Sequence, residues 1–367
     1  MNLNNYISEL IEANQGWVSF ASFMHEALYH PQLGYYASGL QKFGPEGDFI
    51  TAPELSRFFG MTVGRQVKQV LDVVEGNVLE LGAGSGKLCR DILSSLERQG
   101  RLPDRYLILE PSESLAHRQR ELLSELSPQL FERIHWLREL PEQLEGLIIA
   151  NEVFDALPVH ILKFDNGETF ERGVCRSSEG FSWSDRKLSK EMEALAPELP
   201  STNTYITEFC PAAFGLMNDL ASVLTSGAML IFDYGYEADS YYHPDRVNGT
   251  LMCYHRHQAD TFPLLEPGEK DITAHVNFSQ LAHAATEAGL DLIGYCNQAQ
   301  FLVNAGITTL LEEIDPSDTA QYYPAVSAVQ KLLSSDAMGS VFKAMCVSRH
   351  VDLTMIGFKD GDRRYRL

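Results

Sequence analysis

Between residues 76 and 150 the chain alternates short apolar runs with amphipathic ones, and this alternation limits the fold more than any other feature. Residues 77–81, 105–109, 133–137 and 147–150 read as buried strands, and 87–99 and 113–126 as helices. Strands separated by helices need crossover connections, so the expected fold is α/β with a doubly wound, mostly parallel sheet. The pattern resumes with a helix near 211–225, a strand at 228–232, a helix at 279–289 and a strand at 290–296. Antiparallel closing strands are expected near 342–358.

The flanking segments read differently. Residues 5–75 look helical around one odd loop, 33–54, punctuated by Gly34, Gly39, Gly44 and Gly47. Thr51 is placed to cap the following helix, with Pro53 in its first turn and Glu54 at the positive end of its dipole. That helix is expected to run to about residue 74. Residues 160–185 alternate with period two and read as hairpins turning at Asn166-Gly167 and Glu179-Gly180. Residues 236–278 read as a long irregular insert. The expected division is an N-terminal helical extension, 1–75, and an α/β domain, 76–367, with insertions at about 160–205 and 236–278.

Composition removes several function classes. The chain has 29 basic and 50 acidic residues, a net charge of −21, which repels phosphate backbones; no nucleic-acid partner is expected. The six cysteines are scattered, the nearest two being Cys175 and Cys210, so neither a disulfide framework nor a zinc site is suggested. No apolar run approaches the roughly 20 residues of a membrane span, so no membrane insertion is expected. The polar, acidic N-terminus lacks a signal-peptide core and the Arg-rich character of a transit peptide, which gives a cytoplasmic expectation.

The chemistry begins at VLELGAGSGKL, residues 78–88. Gly82, Gly84 and Gly86 lie between a buried strand and a helix, where α/β sheets bind nucleotides. A dinucleotide fingerprint would need glycine at 87 or 89, which hold Lys87 and Cys89; a P-loop would need Ser or Thr where Leu88 stands. What remains is an acid followed by alternate glycines, led by Glu80, the turn of S-adenosylmethionine-dependent methyltransferases. The next strand, RYLILE, ends in Glu110, whose carboxylate can accept both hydroxyls of a ribose diol and would repel a phosphate. S-adenosylmethionine carries no phosphate and has a positive sulfonium, so it is the expected cofactor. Trp136, at the third strand end, is read either as covering the adenine or as core packing.

The stretch IIANEVFDALPVH, 148–160, ends the strand next to the glycine-rich one in the methyltransferase order. Asn151, Glu152 and Asp155 therefore lie where the methyl acceptor should sit. Two carboxylates and an amide suit a planar, cationic, multi-donor group, and guanidinium fits best. Carboxylates can fix the guanidinium plane, and one can take the leaving proton, worth about 10²–10⁴-fold. The alternative reading is structural: Asp155 caps the turn before Pro158, and Glu152 pairs with a distant base. Tyr234 is read as lining the acceptor pocket or as packing. His255 and His257 form an H-x-H without a third ligand cluster, so no metal is expected. His257 is placed with Asp271, Thr273 and His275 on a lid or substrate rim; the alternative reading of Asp271 and Thr273 is as organisers of the loop before Val276.

These stretches, with FMHEALYHPQLGYY at 23–36, GDFITAPE at 47–54, IFDYGY at 231–236, GTLMCYHRH at 249–257, DITAHVNF at 271–278 and MGSVFKAM at 338–345, resemble one family. It is the MidA-like methyltransferases of bacteria and the mitochondrial complex I assembly-factor arginine methyltransferases. The resemblance implies a class I methyltransferase fold with an N-terminal helical extension. It implies methyl transfer from S-adenosylmethionine to a protein substrate presenting an arginine. It also implies that residues 48–54, including Thr51, Pro53 and Glu54, lie over the cofactor. The oligomeric state is left open, with a homodimer as one option. The rival readings are a small-molecule N- or O-methyltransferase and a non-catalytic assembly chaperone that binds the cofactor.

Overall fold

The computed structural model describes residues 2–37, 51–197, 204–255, 258–336 and 338–367. The chain forms two compact units, and they do not follow the expected cut at residue 75. One comprises Met1–Phe49, Phe154–Gly215 and Tyr236–Asn277; the other comprises Ile50–Val153, Leu216–Gly235 and Phe278–Leu367.

The second unit holds the doubly wound sheet. Its strands are β1 Asn77–Leu81, β2 Tyr106–Leu109, β3 Ile134–Leu137, β4 Leu144–Asn151, β5 Leu224–Tyr236, β6 Asp291–Asn297 and β7 Phe342–Arg349. They lie in the order β3-β2-β1-β4-β5-β7-β6. The first five pair in parallel, and β7 runs antiparallel between β5 and β6. β4 is buried along both faces, which is why its core reads as a continuous apolar run. The chain crosses from β1 to β2 on one side, and β4 lies on the other, so the ligand crevice of such a sheet opens at the carboxyl ends of β1 and β4.

The long N-terminal helix is interrupted. Ala52–Leu55 forms one short turn, then Ser56, in extended backbone, caps a second helix, Arg57–Leu71, by accepting from the Phe58 amide. That second helix belongs with the sheet rather than with an N-terminal extension. Phe59, Val63, Val67 and Val70 are buried in the sheet's core, and Phe59, Phe232, Phe301 and Phe358 form a chain of edge-on rings. Gly60 and Gly64 let it approach the helix Lys87–Arg98 closely: a Cβ at Gly60 would stand 2.6 Å from Asp91 Cβ, and one at Gly64 2.7 Å from Ser95 Cβ. Between β6 and β7 lie helices that periodicity did not reveal, Gln298–Asn304, Ile307–Glu312, Thr319–Leu333 and Met338–Val341. β7 is the closing strand; after it the described chain forms only the short turns Ile356–Phe358 and Arg364–Arg366, so no strand extends to residue 358.

The first unit packs helices Leu3–Ala13 and Phe20–Tyr29 with a sheet ordered Val18–Ser19, Glu168–Ser177, His160–Asp165 and Thr204–Phe209. Gly180–Lys187 pairs antiparallel with Glu168–Ser177. The first hairpin turns at Asn166 and Gly167, with φ of 49° and 88°, the left-handed pair that a two-residue hairpin loop uses. The second turns one residue earlier than expected, because Ser177 pairs with Gly180 and leaves Ser178 and Glu179 in the loop. The 236–278 insert is more regular than its sequence suggests: it carries the short helix Ala238–Tyr241 and a three-stranded sheet, Gln258–Asp260, Met252–His255 and Asp271–Thr273.

Candidate active site

In the second unit, the turn after β1 is built by left-handed backbone at Gly82, Gly84 and Gly86, with φ of 57°, 54° and 90°. Gly82 is exposed at the strand tip, and a Cβ added there would meet nothing within 4 Å. Glycine is thus required there for its conformation, and the adjoining space is free for a ligand. Gly86 precedes the helix Lys87–Arg98, whose positive end faces the turn.

Glu80 lies beneath this turn. It is 2% exposed and accepts the Tyr106 hydroxyl at 2.7 Å. Burial pushes its carboxyl up to about 7, against the Tyr106 hydrogen bond and with a smaller push from Glu110. Glu110, also buried, sits past the end of β2: Oε1 accepts the Ser112 amide at 2.9 Å, and Oε2 accepts Gln119 Nε2 at 3.0 Å. These two donors hold the carboxylate in a fixed orientation past the strand end.

Gln119, which the sequence reading missed, joins the parts. Its amide nitrogen also donates to the Gly84 carbonyl at 3.0 Å, and its Oε1 accepts the Trp136 indole at 2.9 Å. Trp136 is therefore held by its nitrogen, with the Arg120 guanidinium 4.8 Å from its ring centre. A fully buried glutamine among Leu115, Ala116 and Leu123, on the apolar stripe of its helix, was the available signal.

The Ala52–Leu55 turn reaches the same motif. Glu54 accepts from the Ser85 hydroxyl and from Lys87 Nζ at 2.5 Å. Thr51 and Pro53 are buried; Thr51 occupies the capping position without making a side-chain cap, which corrects the expected role. Residues 48–50 lie outside the described residues.

At the tip of β4, Asn151 donates to Glu152 Oε1 at 3.2 Å. Asn151 Oδ1 is buried without a hydrogen-bond partner among the described residues. Glu152 has φ of 53° and donates its amide to the Phe232 carbonyl at 2.8 Å. A left-handed non-glycine residue at a strand end is a strained, sharply turned position of the kind found at functional sites. At the end of β5, Asp233 is buried and accepts the Tyr234 amide at 2.9 Å, and the Tyr234 ring packs edge-on to Phe342 at 5.3 Å.

The remaining expected residues belong to the first unit. Asp155 and Asp271 are buried. The Asp155 carbonyl accepts the Ala274 amide at 3.0 Å, so their two segments meet. Tyr36 donates to Asp271 Oδ1 at 3.1 Å, and Tyr36 stacks on Tyr29 at 5.3 Å. Burial, then Asp271, raises both phenols. His275 stacks flat on Tyr236 at 5.1 Å, and its amide donates to Thr250 Oγ1 at 3.1 Å. His257 lies outside the described residues. His255 Nδ1 contacts the Glu269 carbonyl at 2.6 Å. Among the described residues no group of three or more His, Cys, Asp or Glu could hold a metal ion.

A Burkholderia thailandensis protein solved with S-adenosyl-homocysteine superimposes with a TM-score of 0.97 at 42% identity, covering 100% of this chain and 96% of that one. A mitochondrial protein arginine methyltransferase, NDUFAF7, from Danio rerio is 30% identical over 90% of this chain and 83% of its own length. The human protein of the same name is 28% identical over 91% of this chain and 81% of its own length. The cytoplasmic expectation is overturned here, because these relatives are named as mitochondrial proteins. No helix among the described residues is long and apolar enough to cross a membrane. A family model matches residues 62–296, from within the helix Arg57–Leu71 to the end of β6. The chain belongs to that family, described as "Putative S-adenosyl-L-methionine-dependent methyltransferase", and its cofactor is S-adenosylmethionine.

Proposed function

We propose that this chain transfers methyl groups from S-adenosylmethionine to an arginine side chain of a protein substrate, with a respiratory-complex subunit as the substrate class. The observation that carries the reading is Glu152, a carboxylate held in left-handed backbone at the tip of β4 and bonded to the Asn151 amide. The relatives named as protein arginine methyltransferases support the acceptor type.

When bound, S-adenosylmethionine supplies an electrophilic methyl on a sulfonium. Gly82, Gly84 and Gly86 cradle its methionine part, with Glu80 fixing the turn from beneath through Tyr106. Glu110 accepts the ribose hydroxyls, and Gln119 holds Glu110 in place for them. Thr51, Pro53 and Glu54 close over the same turn through Ser85 and Lys87. Asn151 and Glu152 orient the guanidinium, and a Glu152 carboxylate oxygen takes the proton the nitrogen loses. Tyr234 lines the acceptor side.

The test is transfer of labelled methyl into lysate of a strain lacking this gene, followed by mass spectrometry of the labelled protein. Label on arginine is expected. Label on another residue, or on metabolites alone, would remove the arginine reading.

A further inference from the structure

Within the first unit, a surface cleft of about 560 Å³ opens in the 236–278 insert. Tyr236, Ser240, His243, Asp245, Arg246 and Asn248 line it. Its central group is Arg246. The guanidinium lies 4.2 Å from the centre of the Tyr236 ring, and His275 stacks on that ring with an interplanar angle of 2°. Nε donates to the Ser240 carbonyl at 3.3 Å. Among the described residues its two terminal nitrogens have no hydrogen-bond acceptor, and no carboxylate stands within ion-pair distance. The neighbouring carboxylate, Asp245, is turned to His243 Nδ1 at 3.6 Å.

The loop that presents Arg246 is held rigid on both sides. Ile206 donates its amide to the Val247 carbonyl at 2.9 Å. Glu208, buried, accepts the Thr250 and Leu251 amides and the Thr250 hydroxyl. A Cβ at Gly249 would stand 2.2 Å from Glu208 Oε1, so the loop closes on this carboxylate only with glycine there. The cleft thus displays a fixed guanidinium fork whose outward edge is unsatisfied, in a chain of net charge −21. Arginines in so acidic a chain have many carboxylates available to them, and this one is held away from all of them by a ring stack and a carbonyl.

We propose that this cleft is a docking site for an acidic side chain of the protein substrate, with Arg246 binding its carboxylate through both terminal nitrogens. The proposal rests on the reading that the acceptor is a protein. A planar fork with one amide neighbour, Asn248, matches a carboxylate in geometry and charge, and the surrounding negative field disfavours a dianion more than a monoanion. A contact of this kind selects among arginine-bearing proteins without touching the transferred methyl.

The full chain would be titrated, by fluorescence anisotropy, into a labelled, terminally blocked glycine-based hexapeptide containing one Glu, and into its Gln counterpart. The expected result is at least tenfold tighter binding of the acidic peptide, lost in Arg246→Gln and partly restored in Arg246→Lys, which keeps the charge and lacks the fork. S-adenosyl-homocysteine binding, equal in all three proteins, reports that they are folded. An acidic preference that survives in Arg246→Gln would overturn the proposal. So would displacement of the peptide by inorganic phosphate at lower concentration than by acetate, which would mark a small-anion site. The readout needs no methyl transfer, so its failure is separable from failure of the arginine reading.

Discussion

Tyr106 donates its hydroxyl to Glu80 Oε2 at 2.7 Å, joining β1 to β2 directly under the glycine-rich turn. Both residues are buried, and burial is what moves the Glu80 carboxyl from 4.5 up to about 7. A carboxyl raised on folding contributes fully below its unfolded value and loses that contribution as pH rises to its folded one. The window here runs from about pH 4.5 to about pH 7. Glu80→Gln keeps an oxygen for Tyr106 and removes the titration. It should match wild type near pH 4.5 and exceed it at pH 8 by a few kcal/mol. Denaturant melts at the two pH values measure this; a constant difference across them would remove the burial account.

Glu110 and Gln119 form the next testable pair. Glu110→Ala should weaken S-adenosyl-homocysteine binding by roughly 10–100-fold, the loss expected for hydrogen bonds to a charged group. Gln119→Ala should weaken it less, since it acts through Glu110, Gly84 and Trp136 rather than on the ligand. Calorimetry would read both, and a Glu110→Ala protein that binds like wild type would take the ribose role from this residue.

Two glycines separate binding from folding. At Gly82 the φ is left-handed but the space is open, so Gly82→Ala should cost about 1–2 kcal/mol of stability and most of the cofactor affinity. Gly60 sits inside a helix with ordinary backbone, yet its Cβ would meet Asp91 Cβ at 2.6 Å. Gly60→Ala should therefore lower the melting temperature more than Gly82→Ala does. The reverse order in a thermal melt would contradict the helix contact.

Glu152→Ala tests the acceptor chemistry. Alanine and glutamate suffer alike from φ of 53°, so the backbone is not the variable. Cofactor binding should be retained while methyl transfer falls by about 10²–10⁴-fold. Transfer at the wild-type rate would leave Glu152 without the proposed role.

Sequence pattern carried the strands of the sheet, because burial on both faces writes an apolar run and the connections between parallel strands write helix periodicity. It carried the glycine turn for the same local reason: three left-handed positions in five residues leave little choice but glycine. It also placed acids at strand ends, where a carboxylate interrupts an apolar run. What it did not carry were partners distant in the chain. The helix Arg57–Leu71 read as part of an N-terminal extension, since nothing in its own periodicity says that Gly60 and Gly64 face another helix. Glu54 read as a helix-end charge, and only the folded chain brings it to Ser85 and Lys87. Gln119 and Arg246 acquire meaning from what surrounds them: one buried polar group whose bonds go to three separate segments, and one guanidinium whose terminal nitrogens find no acceptor among the described residues. Local sequence sets backbone conformation and which face is buried. Only tertiary packing decides which carboxylate, amide or ring each buried polar group finds, because that choice depends on crossovers that bring residues far apart in sequence to hydrogen-bond distance.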